Sequence, residues 1–330
     1  MQSTNSKKVL VTRRIPESQL EILRKEFQVE VYDKKGPIPR TLLLEKIATV
    51  DGLLSLLSEQ IDRELFEHAP RLKVVSNFAV GYNNIDVAAA TEFGVVVTNT
   101  PDVLTDATAD LSWALLLAVA RRVVEGDRQT RPGRILEWEP DYLLGSDLKG
   151  RTLGILGAGR IGQAVAERSR GWDMQVLYFD RGQNSFMENK LGARRKSLDE
   201  LLAAADFVSI HLPLTEETRH LINADALNRM KSTAYLINTA RGPIVDEQAL
   251  VKALREEGIA GAGLDVFEDE PELAPGLAEL ENVVLTPHIG SATTHTRHEM
   301  ARLAAINLRA VLEGEKPPFP VNPEIFEKLK

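Results

Sequence analysis

TLGILGAGRIG, residues 152–162, is a short apolar run that breaks into Gly157, Gly159 and Gly162 and then into helix-like sequence. Residues 153–156 have the length and apolar character of a buried strand, and residues 160–171 carry Ile161, Val165 and Ala166 at helical spacing. In such a strand–turn–helix the first glycine permits the tight turn, the second lets the backbone approach a pyrophosphate, and the third lets helix and strand pack closely. Free N–H groups at the helix N-terminus then meet the phosphates. The stretch therefore reads as a dinucleotide-binding turn made by Gly157, Gly159, Arg160, Ile161 and Gly162. Asp180 closes the next apolar run, 175–179, eighteen positions after Gly162, where a carboxylate can hold the adenosine ribose diol. Its charge repels a 2′-phosphate, so NAD(H) is preferred. The Arg181 guanidinium beside it could accept one, which keeps NADP(H) open.

Around this turn the chain alternates strand-like and amphipathic stretches. Runs at 8–11, 29–32, 52–56, 73–76 and 95–98 predict one parallel sheet, with Pro16, Pro39 and Asp62 placed to begin helices. Runs at 152–156, 175–179, 207–210, 234–237, 261–265 and 283–285 predict a second. One long apolar helix is expected over 102–124, and another over 291–313, stopped by Gly314 and followed by the extended tail KPPFPVNP. The expected fold is α/β: two Rossmann-like or flavodoxin-like lobes with parallel sheets and an active-site cleft between them. Residues 1–100 and 291–330 form a discontinuous substrate-binding domain, and residues 101–290 form the dinucleotide domain with the linking helix and a dimerisation arm.

The composition narrows the function further. A net charge of −8 supplies no global positive field for nucleic acid or anionic lipid. The absence of cysteine excludes disulfides, thiolate metal sites and cysteine nucleophiles, and fits a reducing compartment. MQSTNSKKVLVTRR lacks the apolar core of a signal peptide, and the longest apolar stretch, 113–120, is too short to span a bilayer. A cytoplasmic protein is expected, with no membrane or nucleic-acid partner. GSDLKGRT, residues 145–152, misses the P-loop lysine and precedes its strand, and His295 and His298 have no third ligand nearby.

Two loops echo each other: Asn77-Phe-Ala-Val-Gly81 and Asn238-Thr-Ala-Arg-Gly242 both place Asn-x-Ala-x-Gly after an apolar strand. Ligands of open α/β sheets bind outside those carboxyl ends, so both loops are expected to face one cleft. Beside a hydride donor, reduction of a 2-keto acid needs a cation for the carboxylate and a proton donor for the developing alkoxide. Arg241 could hold a carboxylate bidentately, His288 after Thr286-Pro287 has the intrinsic range to exchange a proton near neutrality, and Glu270 could orient that imidazole. Singly, Arg241 reads equally as a surface ion-pair residue, His288 as a turn histidine and Glu270 as one acid of a solvated run. Their shared position after strands of the second sheet favours the chemical reading.

The succession GAGRIG, NTARGPIVDEQAL, AGLDVFEDEP and LTPHIGSAT resembles the D-2-hydroxyacid dehydrogenases, and NFAVGYNNID with VTNTPDVLTDATADLSWALLLAVARRVVEGD extends the resemblance over nearly the whole chain, closest to glyoxylate and hydroxypyruvate reductases. The resemblance implies that Arg241 binds the keto acid, Glu270 supports the histidine and His288 is the acid/base. It also implies that Asp265 binds the nicotinamide amide, Val80-Gly81 holds the substrate carboxylate, Thr108 lies near the nicotinamide, and Leu212-Pro213 in the run after His211 borders the adenine and ribose. His211 itself reads as structural. Thr239, Ala240 and Gly290 complete the expected cofactor-binding set.

Glu270 stands where formate dehydrogenases carry glutamine, and Val80 where phosphite dehydrogenases carry lysine. Apolar Leu53, Leu54, Leu56 and Leu57 near the expected substrate loop suit a small substrate. Trp138, in ILEWEPDYLL, resembles an arm residue that reaches a partner subunit, and reads equally as a packing residue. The expectation is thus a homodimeric NAD(P)H-dependent reductase of a small 2-keto acid to its 2-hydroxy acid, glyoxylate first and hydroxypyruvate with it. The alternatives are a phosphoglycerate- or D-lactate-type dehydrogenase, and a dinucleotide-sensing protein like the family's corepressors.

Overall fold

A computed structural model describes residues 6–133 and 138–328, apart from the side chain of Lys328. The first five residues of MQSTNSKKVLVTRR and residues 135–137 of the expected arm lie outside the described residues. The chain divides into two compact units, Met1–Leu104 with Ala292–Lys330, and Thr105–Ser291.

Unit 1 runs β1 (Lys8–Val11), α1 (Glu17–Arg24), β2 (Gln28–Val31), α2 (Arg40–Ile47), β3 (Gly52–Ser55), α3 (Arg63–Glu67), β4 (Val74–Asn77), α4 (Val87–Glu92) and β5 (Val96–Thr98). All neighbouring strands pair in parallel, in the order β2-β1-β3-β4-β5. Helices cover both faces, so β3 and β4 are buried along their whole length and read as continuous apolar runs. Leu53 and Leu54 belong to that buried strand and pack in the core; only Leu56 and Leu57, beyond its end, are partly exposed. Pro16, Pro39 and Asp62 do stand at the N-caps of α1, α2 and α3, and the Asp62 carboxylate accepts from the Leu65 amide.

Unit 2 runs α5 (Thr105–Ala120), α6 (Val123–Thr130), β6 (Thr152–Leu156), α7 (Arg160–Arg168), β7 (Gln175–Phe179), α8 (Ser185–Leu191), β8 (Arg194–Arg195), α9 (Leu198–Ala204), β9 (Phe207–Ile210), α10 (Ala224–Arg229), β10 (Tyr235–Asn238), α11 (Glu247–Arg255), β11 (Gly261–Leu264) and β12 (Val283–Leu285). Its seven strands are parallel, in the order β12-β11-β10-β9-β6-β7-β8. The order reverses between β6 and β9, and the crevice at their carboxyl ends is where such a sheet takes a ligand. One apolar cluster, with Leu236, Val208 and Leu250, fills one face. A second, with Trp113, Leu116, Phe207 and Tyr235, seats α5 on the other, where the buried Trp113 indole donates to the Val165 carbonyl at 3.0 Å.

The single helix expected over 102–124 is in fact two. Gly145 crosses so close to the last turn of α5 that a Cβ there would lie 2.5 Å from the Ala120 carbonyl oxygen, and Ser146 donates its amide to that oxygen at 2.8 Å. With the carbonyl diverted, Arg122 turns into the left-handed region at φ 52° and α6 begins anew. β8 escapes a reading by apolar pattern because both its residues are exposed arginines.

The chain returns to unit 1 through α12 (Thr294–Glu313), ended by Gly314 at φ 87°, and finishes with α13 (Ile325–Lys328). The tail between them is more than a surface strap. Val321 donates to Val97 at 2.7 Å along the edge of β5, and the buried Asn322 side chain accepts from Val97 and donates to Val95 and Thr91. An edge that would otherwise offer open hydrogen bonds is covered.

Candidate active site

The dinucleotide turn sits at the switch point of the unit 2 sheet. Gly157 has φ 98°, and a Cβ on it would lie 2.7 Å from the carbonyl carbon of His211, so the turn and the segment after β9 are in backbone contact. A Cβ on Gly162 would fall 2.0 Å from the Gly157 carbonyl oxygen, which ties the first turn of α7 to the loop. Gly159, the N-cap of α7, has nothing within 4 Å of a Cβ position, leaving an open approach to the amides of Arg160, Ile161 and Gly162. Asp180 accepts from the Ala158 amide at 2.7 Å and from the Arg181 amide at 2.7 Å, which anchors its carboxylate beside the turn. Open space, oriented amides and an anchored acid fit the pyrophosphate and ribose of a dinucleotide. Arg181 is exposed, and Arg195 holds its carbonyl and that of Asp180 at 2.8 Å.

Leu212 and Pro213 follow His211 along the same crevice. The His211 ring bonds Ser209 through Nε2 at 2.8 Å, and burial pushes its pKa down to about 3. It is therefore neutral near pH 7 and not placed to act as an acid.

Three residues far apart in sequence come together in this unit. His288 Nδ1 lies 2.9 Å from Glu270 Oε2, and the other Glu270 oxygen accepts from the Phe267 amide at 3.0 Å. Burial by itself would raise the Glu270 carboxyl, but the His288 bond and charge, the Phe267 amide and the Arg241 charge hold it below the usual carboxylate range. Arg241 follows β10; burial presses its guanidinium below the usual arginine range, opposed by the Glu270 charge. Asn238, the last residue of β10, fixes this loop by donating to the Arg241 carbonyl at 2.9 Å. With Nδ1 turned to Glu270, Nε2 is the ring nitrogen left for proton exchange.

His288 itself takes φ 53°, and Asp265 accounts for that turn. The Asp265 carbonyl accepts from the His288 amide at 2.8 Å, while its carboxylate accepts from the Thr286 hydroxyl at 2.6 Å and the amides of Ile289 and Gly290 at 2.8 and 2.7 Å. Burial lifts this carboxyl above its ordinary range in spite of those donors. The turn that presents the imidazole is thus wound around one buried acid, a role beyond the amide binding expected of Asp265. Thr108 packs against Gly290. Ser112, one turn further along α5, donates to the Thr108 carbonyl and bonds the Thr239 hydroxyl at 2.7 Å, which also steadies Ala240 next to it. Sequence reading passed over Ser112, although its place four residues after Thr108 on one helix face was a usable signal.

Val80 and Gly81 lie in unit 1, after β4. The carbonyls of Ala79, Val80 and Gly81 are taken by the Thr100 amide at 2.9 Å and by the Asn99 and Asn77 side chains at 2.8 Å. In a trans peptide the following N–H points the opposite way, so the amides of Val80, Gly81 and Tyr82 turn away from those partners. A run of amides turned away from those partners suits an anion. Asn77 and Asn238 thus play one part in two sheets: each ends a strand and clamps the loop beyond it. Trp138 is 86% exposed, and Val123 and Leu144 are also well exposed. His295 and His298 lie exposed near the start of α12. Among the described residues no helix is long and apolar enough to cross a membrane.

Comparison with known proteins follows the same lines. Residues 113–290 match the family model for the NAD binding domain of D-isomer specific 2-hydroxyacid dehydrogenases. A glyoxylate reductase of Pyrococcus horikoshii is 55% identical over 327 residues, 98% of either chain. Among solved structures, the TT0316 protein of Thermus thermophilus superposes with a TM-score of 0.89 at 50% identity, over 95% of this chain and 99% of that one. An NADPH-dependent glyoxylate/hydroxypyruvate reductase of Sinorhizobium meliloti, solved with NADP and malonate, gives 0.85 at 35% identity, over 96% and 97%. With a glycine turn at the sheet's switch point, an imidazole–carboxylate pair beside a half-buried arginine, and relatives matched end to end, the chain belongs to the D-isomer-specific 2-hydroxyacid dehydrogenases.

Proposed function

We propose that this chain reduces glyoxylate to glycolate, and hydroxypyruvate to D-glycerate, with NADH preferred over NADPH. The observation that carries the reading is the 2.9 Å contact between His288 and Glu270 beside the Arg241 charge; the names of the Pyrococcus and Sinorhizobium relatives support the substrate. A bound nicotinamide supplies the hydride for the carbonyl carbon. His288 Nε2 gives its proton to the carbonyl oxygen as negative charge develops there, and Glu270 balances the imidazolium before transfer and holds the ring in one orientation. The Arg241 guanidinium holds the keto acid in place, and the amides at Val80 and Gly81 are assigned the carboxylate. Gly157, Gly159, Arg160, Ile161 and Gly162 would hold the pyrophosphate, Asp180 the ribose diol, Leu212-Pro213 the adenosine side, and Thr108, Thr239, Ala240, Asp265 and Gly290 the nicotinamide end. The NADH preference is inferred from Asp180: its carboxylate is held by the Ala158 amide, and a negative charge beside the ribose opposes a 2′-phosphate; exposed Arg181 leaves NADPH usable. Exposed Trp138, Val123 and Leu144 support a homodimer, and the cysteine-free sequence fits the reducing cytosol.

Turnover of glyoxylate, hydroxypyruvate, pyruvate and 3-phosphohydroxypyruvate, each with NADH and with NADPH, tests the assignment. Glyoxylate should give the highest kcat/KM. His288→Asn should lower kcat by about 10²- to 10⁴-fold with NADH affinity unchanged, the usual size of general acid–base assistance. Preference for the phosphorylated acid, or near-normal turnover without the imidazole, would refute it.

A further inference from the structure

Beside the reacting set lies a second group of ionisable residues that the reduction does not use. Glu247 opens α11, five residues after Gly242, and is 3% exposed. Its Oε1 accepts from the Glu268 amide at 2.8 Å, and Glu268 Oε2 accepts from the Glu247 amide at 3.3 Å. The two glutamates thus hold each other's backbone reciprocally. The remaining oxygen of Glu268 meets His220 Nε2 at 2.5 Å, and the His220 amide donates to the Pro243 carbonyl at 2.9 Å. At the same place Gly242 presses on the facing loop: a Cβ there would lie 1.8 Å from the carbonyl carbon of Phe267 and 2.4 Å from the Glu268 nitrogen. One strand of this arrangement carries Arg241, the neighbour of Gly242; the other carries Glu270, two residues beyond Glu268.

Two carboxylates this near one another, one of them buried, repel and lose hydration. Burial raises the Glu247 carboxyl, with the Glu268 and Asp269 charges adding to the rise against the backbone bonds from Glu268 and Ala274. An apolar pair of similar volume would close the same gap with less electrostatic cost, but it would not fix the loops' register, because apolar contact is non-directional. Four directional links and one glycine contact do fix it. Since Glu270 is anchored by its own loop through the Phe267 amide, a shift of the Phe267–Glu268 peptide would carry Glu270 away from both His288 and Arg241.

We infer that Glu247, Glu268 and His220 form a positioning clamp that sets the Glu270 carboxylate relative to Arg241 and His288. The clamp rests on the proposed reading of those three as the reacting groups. Glu247, Glu268 and His220 touch neither substrate nor cofactor in this scheme; they act through Glu270.

The test is a double-mutant cycle in the full-length enzyme. Glu268→Ala should lower kcat with glyoxylate by about tenfold or more, the scale expected when a reacting group moves by a fraction of an ångström to one ångström, with NADH affinity unchanged. Glu268→Gln, which still accepts from the Glu247 amide, should restore most of that loss. His220→Asn, at a position with φ 50° that asparagine tolerates, removes only the outer tie and should fall between the two. If Glu268→Ala does not fold, these two variants carry the comparison. In a Glu270→Gln background none of the three should lower kcat further, because a clamp that acts through Glu270 has nothing left to position. Full additivity would overturn the inference. A readout without turnover separates it from the substrate assignment: carboxyl ¹³C titration of Glu270 in the substrate-free protein, which should rise toward the ordinary range in Glu268→Ala and, less, in His220→Asn. An unmoved Glu270 titration would refute the clamp even if every keto acid were turned over. A shifted one would support it even if glyoxylate were not.

Discussion

His211 makes the stability of unit 2 depend on pH between about 6.5 and 5, above the range in which the depressed carboxylates titrate. Its folded pKa is pushed down to about 3 from an ordinary value of 6.5, so below 6.5 the unfolded chain binds a proton that the folded chain refuses. Stability is therefore complete above about pH 6.5 and is lost as pH falls. By pH 5 the loss reaches about 2 kcal/mol, with a limiting slope of about 1.4 kcal/mol per pH unit. The slope over this window requires only that the folded value lie well below 5, so modest access of solvent to the ring leaves it intact. Glu200, Asp206 and Glu270 have depressed carboxyl values, and their stabilisation is lost only below the unfolded carboxylate range near 4. Glu247 and Asp265 are raised and act with the opposite sign, but equally in wild type and variant. The perturbation is His211→Gln, whose amide reaches the place of Nε2 and can still bond Ser209. All three tryptophans, Trp113, Trp138 and Trp172, belong to unit 2. Urea unfolding followed by tryptophan fluorescence, at one protein concentration, therefore reports this unit alone. Between about pH 6.5 and 5 the wild type should lose close to one proton's worth of slope more than the variant. Equal slopes would refute the account of His211 as an imidazole that the fold holds neutral.

Gly162→Ala places a Cβ 2.0 Å from the Gly157 carbonyl oxygen, a backbone atom that cannot swing aside; unit 2 should lose about 1–3 kcal/mol by the same unfolding assay, with weaker NADH binding by fluorescence titration. Unchanged stability would mean that α7 does not pack on the turn as described. Asp180→Ser should lower NADH affinity and raise the NADPH-to-NADH ratio of kcat/KM, since the hydroxyl keeps an acceptor for the Ala158 amide while removing the charge that opposes a 2′-phosphate. An unchanged ratio would remove Asp180 from cofactor choice.

The parts of the fold legible in the sequence were those written in local pattern. Parallel strands such as β7, β9 and β12 are short runs dominated by apolar residues, and their limits read from hydrophobicity. The caps at Pro16, Pro39 and Asp62 are single-residue signals. What escaped depends on partners distant in sequence. Nothing within 102–124 announces that Gly145 will come against Ala120 and divert its carbonyl, so an apolar stretch that could continue as helix instead breaks at Arg122. Likewise Leu53 and Leu54 are inseparable by type from Leu56 and Leu57, and only the end of β3 at Ser55 decides which pair is core.

The site divides the same way, and the division has a mechanistic reason. Arg241, Glu270 and His288, the proposed reacting groups, were nameable in sequence because such a role calls for a particular chemical type after a strand, and few residues satisfy that demand; the structure brings the three together. The aiming roles were not, because positioning is a matter of direction and not of type: Asp265 was named, but for the nicotinamide amide, and Ser112, Glu247 and Glu268 were not named at all. Asp265 winds the His288 turn through one carbonyl and two carboxylate oxygens, Ser112 bridges Thr108 and Thr239, and Glu247 reaches Glu268 across twenty-one residues of chain. In sequence these are an acid after a strand, a serine in a helix and two of many glutamates. Folding gives them their role by turning backbone amides toward them. A search for such residues in similar enzymes therefore profits more from asking which loop amides have no strand carbonyl to donate to than from asking which side chains are reactive.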